Sequence, residues 1–388
     1  MTLAVAVACG PSSHDEGRGP REPAETGAGG SSGAATDGGA HATDGGIVAT
    51  DGGTLPDLPW DNVAFPSVVD PDDNPSTPEK IALGRLLFYD PMTSVDHQVA
   101  CATCHSEIWG MSDGLARSVG HGAGLLAGPG RNGPNVTRRN APTLWNVGFR
   151  ANEFWDGRAA SLEDQVHFPF DTAEELDTTL DDVTAAVAAI PAYATLFAEA
   201  FPDEANPVMP VTFARAVAAF ERSLLSHRGL YDAYVAGDRA ALTDDMLHGM
   251  SLLATEGCTN CHVPPLFSSE RFVDRGVAPV PGVDDAGRFE VTKDEADRNA
   301  FKVPTLRNAH DTGPYFHTGG VSDFDQAVRE EVAFSVAHDG APALSDSDTS
   351  DLSAFIMKGL FDSQDSPTRP KEVPSGLPVP VDGFSIRR

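Results

Sequence analysis

The residues with the clearest chemistry in this sequence form two copies of a Cys-X-X-Cys-His motif. The copies are Cys101-Ala102-Thr103-Cys104-His105 and Cys258-Thr259-Asn260-Cys261-His262. This spacing is the signature of c-type haem attachment, in which two thiols bond to the porphyrin and the adjacent histidine binds the iron. A zinc site or a redox dithiol is the alternative, but the only other cysteine, Cys9, lies far from both motifs. The sequence therefore predicts two covalent haems, with His105 and His262 as proximal ligands.

Composition agrees with a haem protein of the cell envelope. The chain has 388 residues, five cysteines and a formal net charge of −30. This acidity argues against nucleic-acid binding, because phosphate contacts need lysine and arginine. It suits either the steering of a basic redox partner or a plain solvated surface. Because c-type haem is normally installed outside the cytoplasm, we expect a periplasmic or other cell-envelope location.

The N-terminal part of the sequence resembles a membrane tether. Residues 1–9 are small and apolar, and Ala6-Val7-Ala8-Cys9 is similar to a truncated lipoprotein signal, although the end of an ordinary signal segment is the alternative. We therefore expect a lipid anchor at Cys9. Residues 10–57 are rich in Gly, Ser, Thr and Asp. Such a segment buries too little apolar surface to offset its ordering entropy, which predicts a disordered linker.

Helix signals recur in the rest of the chain, and no series of alternating strands appears. Thr77 is a candidate N-cap because Pro78 follows it at the first helical position. Ser345 and Asp348 have the spacing of a capping box. Apolar residues recur at helical spacing in one long segment, at Phe213, Val217, Phe220 and Leu224. These patterns predict a mainly α fold.

The two haem motifs divide this helical body into two parts. We expect two cytochrome c-like haem domains with long irregular loops, because Gly, Pro, Asn and Asp are frequent between the helix signals. The N-terminal haem domain is assigned to residues 58–235 and the C-terminal haem domain to residues 236–365. Residues 366–388 form a Pro-rich tail, which we expect to be either extended over the surface or disordered.

Two longer stretches carry a more specific signal. The first runs from Arg138 as RRNAPTLWNVGFRANEFWDGRAASLEDQVHFPF, and the second is FKVPTLRNAHDTGPYFHTGG at 301–320. Together with the haem motifs they resemble the bacterial di-haem cytochrome c peroxidase family, which includes the tryptophan-modifying enzyme MauG. The resemblance covers residues 75–360. It implies that the haem bound by His105 reacts with peroxide, and that the haem bound by His262 transfers electrons to it.

The resemblance also assigns roles to residues between the haem motifs. Trp155 would relay electrons between the haems, and Gln165 and Pro169 would belong to the active site. Glu175 would be the acid–base, with its neighbour Glu174 as the alternative if the register differs by one residue. The chemistry agrees, because peroxide cleavage needs a group that moves a proton from one oxygen to the other. Taken singly, each of these residues is also compatible with ordinary packing or solvation.

Two further sites follow from the same resemblance. His121, between two glycines, matches the resting-state iron ligand of many family members, but an insertion at 122–137 puts its position and role in question. An exposed histidine without a function is the alternative. The family also holds a calcium ion between the haems with hard oxygen ligands. The matching calcium residues here are Asn140, Thr312 and Pro314.

One position departs from the family pattern. Family peroxidases supply a methionine as the second axial ligand of the C-terminal haem, and MauG supplies a tyrosine. The matching residue here is Glu331, a poor ligand for low-spin haem iron, so His338 and Met357 are the alternatives. We favour Met357 least, because its helix is expected to pack in the core. Anionic oxygen or histidine ligation would lower the haem potential relative to methionine.

Three functions are compatible with this pattern. The first is a hydrogen peroxide reductase that takes electrons from a small electron-donor protein. The second is a MauG-like enzyme that uses peroxide to oxidise an aromatic residue of a partner protein. The third is a non-enzymatic di-haem electron carrier, which would have no need of Gln165, Pro169 and Glu175. A homodimer is compatible with the family but is not required by the sequence.

The motifs make a direct prediction about stoichiometry. We expect two haems to remain with the protein after acid–acetone extraction, because both attachment motifs are intact. Replacing Cys258 and Cys261 with alanine should remove one of the two, as measured by pyridine haemochrome absorbance per polypeptide. Recovery of a single covalent haem from the unaltered chain, matured in a competent host, would contradict the prediction.

Overall fold

Helices make up most of the regular structure. The structure, a computed structural model, describes residues 63–363 and 369–382. The longer helices are α1 Pro78–Tyr89, α5 Leu180–Ala188, α6 Pro191–Ala200, α7 Pro210–Arg222, α9 Asp244–Thr255, α11 Phe324–Phe334 and α12 Asp346–Ala354. The shorter helices are α2 Cys101–Cys104, α3 Leu162–Gln165, α4 Phe168–Asp171, α8 Leu230–Val235 and α10 Phe289–Thr292. The predicted mainly α fold is confirmed.

The structure also contains short β-strands, 3₁₀ turns and π-helical turns. The strands are β1 Leu126–Ala127, β2 Phe272–Val273, β3 Phe301–Lys302 and β4 Val381–Asp382. Strand β1 pairs with β4 in parallel, and β2 pairs with β3 antiparallel. Single 3₁₀ turns occur at Pro91–Thr93, Glu107–Trp109, Val147–Phe149, Cys258–Asn260 and Glu295–Asp297, and π-helical turns extend α11 and α12 at Ser335–Asp339 and Phe355–Gly359.

The predicted helix caps are present. The Thr77 hydroxyl accepts a hydrogen bond from the backbone N–H of Lys80, with Pro78 at the first helical position. Ser345 and Asp348 form the reciprocal capping box at the start of α12. Both caps satisfy N–H groups that the helix itself leaves without partners. The apolar spacing from Phe213 to Phe220 corresponds to the buried face of α7.

Each haem motif follows a helix that approaches another helix closely. Helix α1 packs against α7, where a Cβ on Gly84 would lie 1.9 Å from the Ala216 carbonyl oxygen. Helix α9 packs against α12, where a Cβ on Gly249 would lie 2.0 Å from the Asp351 carbonyl oxygen. Only glycine permits such close backbone contact. A close helix–helix contact at a glycine therefore positions the helix before each motif.

Two hydrophobic clusters lie within the compact unit to which the described residues belong. The first contains buried side chains from Leu83 to Leu224, and the second contains those from Tyr231 to Leu360. Cys101 packs against the first cluster and Cys258 against the second. Each haem motif thus has its own apolar surroundings.

The described part of the tail returns to the first cluster. Val373 is buried in that cluster, although it lies far along the chain from the other members. The Ser375 hydroxyl donates to the Asp90 carboxylate at 2.7 Å, and the Trp109 indole N–H donates to Asp382 at 2.6 Å. Residues 369–382 therefore run extended across the N-terminal part of the body and end at β4, beside β1.

Several predictions concern residues outside the described ranges. Cys9 and the linker at 10–57 lie among these residues. Within the described ranges, no individual helix has the length and apolar character of a membrane span, and only the pair Leu180–Ala188 and Pro191–Ala200, bent by 104°, meets those criteria jointly.

Two buried carboxylates, Glu221 and Glu153, lie near each other, and the charge of Glu221 also raises the pKa of Cys101 in the first motif. Burial, and then the charges of Glu153 and Glu163, raise the pKa of Glu221 to about 8, while Arg222 opposes the rise. Burial also raises the pKa of Glu153 to about 7. Within the described ranges, one carboxylate oxygen of Glu221 and one of Glu153 have no hydrogen-bond partner. Desolvated carboxylates without partners favour the protonated form.

This cluster predicts a stability loss at higher pH. The folded-state pKa of Glu221 lies above its ordinary value of 4.5, so its stabilising contribution is complete below 4.5 and is lost as pH rises towards about 8. We expect Glu221→Gln to reduce the fall in thermal unfolding midpoint over this window. Glu199→Gln, at an exposed glutamate of α6, is the control and should follow the wild type. Identical pH profiles for wild type and Glu221→Gln would contradict the assignment.

Candidate active site

Both motif histidines are oriented by the same type of hydrogen bond. Nδ1 of His105 lies 3.0 Å from the Met111 carbonyl oxygen, and Nδ1 of His262 lies 3.2 Å from the Phe267 carbonyl oxygen. A carbonyl acceptor fixes the proton on Nδ1 and leaves Nε2 with a lone pair for a metal. Burial lowers the pKa of each imidazole to about 4. Both rings are therefore neutral at pH 7, as an iron ligand must be.

The four motif cysteines fit covalent attachment. All four are free thiols and are only partly accessible. Burial raises the pKa of Cys101 to about 12 and that of Cys258 to about 11. The thiols are therefore surrounded by protein on most sides. This donor set, with a ligand histidine directly after each cysteine pair, fits two haems. Bound there, they would supply the redox chemistry.

The Glu175 carboxylate lies close to the first motif. Its charge raises the pKa of both Cys101 and Cys104. Burial raises the pKa of Glu175 itself, and Glu174 adds to the rise, while Arg158 opposes it. Glu174 is exposed. The structure thus places Glu175, and not Glu174, near the first motif.

Arg158 is a part of this site that the sequence prediction missed. Its guanidinium lies 3.5 Å from the ring centroid of Phe154 and donates to Asp156 at 3.1 Å. Burial lowers the pKa of Arg158, and the charge of Glu175 is among those that oppose this shift, so the two side chains interact. Arg158 is the last residue of the Phe-Trp-Asp-Gly-Arg block that contains Trp155. Its membership of this block is the sequence signal that could have identified it as a site residue. Gln165 is half-buried at the end of α3, and Pro169 is half-buried in α4.

Trp155 connects a segment between the two motifs with segments that follow the second motif. Its indole N–H donates to the Asn140 carbonyl at 2.9 Å, and its own carbonyl accepts from the Lys302 N–H at 2.7 Å. Its ring centroid lies 6.2 Å from that of His317, which stacks on Phe301 at 3.5 Å. The indole is therefore held between segments on the N-terminal and C-terminal sides of the second motif.

Comparison with known proteins agrees with this arrangement. The sequence profile described as "Di-haem cytochrome c peroxidase" matches residues 78–240. The cytochrome c551 peroxidase of Nitrosomonas europaea is 35% identical over 256 residues, which cover 66% of this chain and 73% of that protein. The methylamine utilization protein MauG of Methylorubrum extorquens is 37% identical over 266 residues, 68% of this chain and 71% of that protein.

The chain belongs to the di-haem cytochrome c peroxidase/MauG family. It is therefore an oxidoreductase, and the family implies two c-type haems. The fold agrees: the crystal structure of a MauG-like protein associated with microbial copper homeostasis superposes with a TM-score of 0.67 at 27% identity. That match covers 80% of this chain and 97% of the other.

His121 has other partners than a metal. Its Nε2 lies 2.8 Å from the side-chain nitrogen of Asn135, 3.1 Å from the Ala173 carbonyl oxygen and 3.6 Å from the Asp177 carboxylate. Its backbone N–H donates to the Glu175 carbonyl at 3.0 Å. The loop therefore lies against the segment that carries Glu175. The predicted role of His121 as an iron ligand stays a prediction.

The residues predicted to hold calcium are partly constrained by other contacts. Asn140 is buried, and its side-chain nitrogen donates to the Leu115 carbonyl at 2.7 Å, which leaves the amide oxygen as a potential ligand. Thr312 lies beside Gly110. Within the described ranges, no group of three or more His, Cys, Asp or Glu side chains is arranged to hold a metal. A calcium site made of amide and backbone carbonyl oxygens would not contain such a group. The calcium site therefore stays a prediction.

The three candidates for the second axial ligand have different environments. Glu331 accepts a hydrogen bond from Arg275 at 2.9 Å, and both charges influence the pKa of Cys258. His338 is exposed and stacks on Phe334. Met357 is half-buried and lies outside the second hydrophobic cluster, although Phe355 and Ile356 belong to it. Glu331 is thus the candidate with a demonstrated electrostatic link to the second motif.

These environments predict the spectrum of the second haem. We expect Glu331→Gln to shift its spin state or potential, measured by electron paramagnetic resonance and redox titration, because the substitution removes the charge paired with Arg275. His338→Ala, at an exposed side chain, should leave both unchanged. A sulfur-to-iron charge-transfer band in the wild type that disappears in Met357→Ala would contradict this assignment.

Proposed function

We propose that the protein is a di-haem c-type peroxidase that reduces hydrogen peroxide to water. Peroxide would react at the haem bound through His105, with electrons supplied from the haem bound through His262. The observation that carries the proposal is the position of the half-buried Glu175, which lies near enough to Cys101 and Cys104 for its charge to raise the pKa of both thiols. An electron carrier would have no use for a desolvated carboxylate at this place.

Glu175 can perform the proton transfers that peroxide reduction requires. The reaction consumes two electrons and two protons and releases two molecules of water. A carboxylate beside the bound peroxide can accept a proton from one oxygen and return it to the other. The adjacent Arg158 guanidinium stabilises the anionic form and provides positive charge near the leaving oxygen. Phe154 and Phe168 lie within 5.5 Å of this guanidinium and limit access of water.

Trp155 is the proposed relay between the two haems. Its contacts join the Asn140 segment to the Lys302 and His317 segment. We assign the first hydrophobic cluster to a cytochrome c-like haem domain at 58–235 and the second to another at 236–365. The clusters support this division approximately: apart from Val373 of the tail, the buried members of the first end at Leu224, and those of the second begin at Tyr231, four residues before the proposed boundary.

A MauG-like oxidation of a partner protein is the second candidate. The observation that favours it is Glu331, which is paired with Arg275. Such a carboxylate near the second haem would lower its potential and disfavour reduction by a high-potential donor. The MauG and MauG-like relatives make this chemistry available within the family. Turnover with a reduced small cytochrome, compared with peroxide-dependent modification of Trp or Tyr in a partner protein, separates the two functions.

The setting of the enzyme is also part of the proposal. Covalent haem supports a periplasmic or cell-envelope location, with a lipid anchor at Cys9. Asn140, Thr312 and Pro314 would hold calcium between the haems, because hard oxygen donors suit this ion. A homodimer is compatible with this assignment.

The role of Glu175 can be tested with a matched pair of variants. Glu175→Gln keeps the side-chain shape but removes the proton acceptor, so peroxide turnover should fall by about 10²–10⁴ with haem content unchanged. Glu174→Gln changes the exposed neighbour and should retain near-normal turnover. If the loss followed Glu174→Gln instead, the acid–base role would move to that residue.

A further inference from the structure

The turn that follows His105 carries the carbonyl that orients its ring. The Met111 N–H donates to the Ser106 carbonyl at 2.9 Å, and the Ser106 N–H donates to the Ser112 carbonyl at 2.8 Å. These bonds close the turn, and they place the Met111 carbonyl oxygen 3.0 Å from Nδ1 of His105. Any shift of residues 106–112 therefore moves the acceptor on which the orientation of the imidazole depends.

The C-terminal tail holds this turn from outside at two points. The 3₁₀ segment of the turn begins at Glu107 and ends at Trp109. The Glu107 carboxylate forms an ion pair with Arg369 of the tail at 3.1 Å and accepts a hydrogen bond from the Tyr89 hydroxyl at 2.9 Å. The Trp109 indole N–H donates to the Asp382 carboxylate of the tail at 2.6 Å. Both ends of the 3₁₀ segment are thus tied to residues 369–382.

The bond between Trp109 and Asp382 lies in a slot that two glycines leave open. A Cβ on Gly114 would lie 2.7 Å from the Trp109 ring. A Cβ on Gly128 would lie 2.5 Å from the indole nitrogen and 2.7 Å from the Asp382 carboxylate. Both glycines have positive φ, at 69° and 75°, which glycine adopts without strain. Asp382 is fully buried, so its carboxylate depends on donors inside the protein.

The tail also reaches the first motif through the backbone. Strand β4, which contains Asp382, pairs in parallel with β1. Strand β1 in turn packs against α2, the helix that carries Cys101 and Cys104. The end of the tail therefore contacts elements on both sides of His105 in the sequence neighbourhood of the motif.

We propose that Asp382 and Arg369 are positioning residues for His105, so that docking of the tail sets the reduction potential of the first haem. A hydrogen bond from Nδ1–H to a carbonyl makes the opposite ring nitrogen a stronger donor to a metal. Hydrogen bonds around the axial ligand are one means by which a protein sets a haem potential. The inference rests on a haem bound through His105, and it gives the tail a role beyond the proposed peroxidase function.

Reduction potentials of the holoprotein test this role. Trp109→Phe removes the indole N–H but keeps an aromatic ring, and Asp382→Ala removes the acceptor. Either variant should raise the potential of the first haem, because a weaker bond at Nδ1 makes His105 a poorer donor to ferric iron. The potential of the second haem should stay unchanged. The iron–histidine stretching frequency of the first haem, read by resonance Raman spectroscopy of the reduced protein, should fall in parallel.

Further variants distinguish positioning from general loosening of the tail. Asp382→Asn keeps an acceptor oxygen and should retain the wild-type potential. Trp109→Phe/Asp382→Ala should shift the potential no further than either single variant, because both break the same bond. Ser375→Ala removes the bond of the tail to Asp90, and Glu372→Ala changes an exposed tail carboxylate. Both should leave the first potential unchanged.

The possible outcomes also separate this inference from the peroxidase proposal. An unchanged first potential in Trp109→Phe would overturn the inference, even if Asp382→Ala does not fold. A shift in Ser375→Ala as large as that in Asp382→Ala would overturn it as well, because the effect would then follow tail stability. Potentials are measured without peroxide. A wild type without peroxide turnover, together with the expected shift in Trp109→Phe, would therefore overturn the peroxidase function and support the inference.

Discussion

The hydrogen bond from each motif imidazole to a backbone carbonyl is the constraint on which the rest of the site depends. It decides which ring nitrogen is available for iron at His105 and His262. The carbonyls belong to Met111 and Phe267, so the turn after each motif must adopt one conformation before either histidine can act as a ligand. The close helix contacts at Gly84 and Gly249 position the helices that precede the two motifs. The geometry at both irons is therefore an outcome of backbone packing rather than of the motif alone.

The charges around the two motifs divide the chemistry between them. On the first side, Glu175 is enclosed, and only the Arg158 guanidinium opposes its protonation. On the second side, Glu331 is tied to Arg275, which also contacts Asp339 at 2.8 Å. Burial raises the pKa of Glu331 as well, and Arg275 opposes that rise through both its charge and its hydrogen bond. Under the proposed function, the first carboxylate would exchange protons and the second would adjust the potential of the electron-storing haem.

Local features were predictable from sequence, and contacts between distant segments were not. The Thr77 cap, the Ser345 capping box and the haem motifs depend on residues a few positions apart, so their patterns sufficed. The Arg275–Glu331 pair joins residues with no shared periodicity, and nothing in either segment signals the other. The expectation that the helix of Met357 packs in the core agrees with its buried neighbours Phe355 and Ile356, while Met357 itself is half-buried. The family resemblance indicated Glu175 as an active-site residue but did not predict the contacts made by the insertion.

The extended segment at 369–382 has a consequence for how the protein matures. The ribosome delivers the chain from its N-terminus, so Cys101 and Cys104 emerge long before Val373 and Asp382. The N-terminal core remains incomplete until those last contacts form. Until the tail docks, the surface that Val373 covers stays open. Haem attached before that moment would meet the first motif with these contacts still unformed.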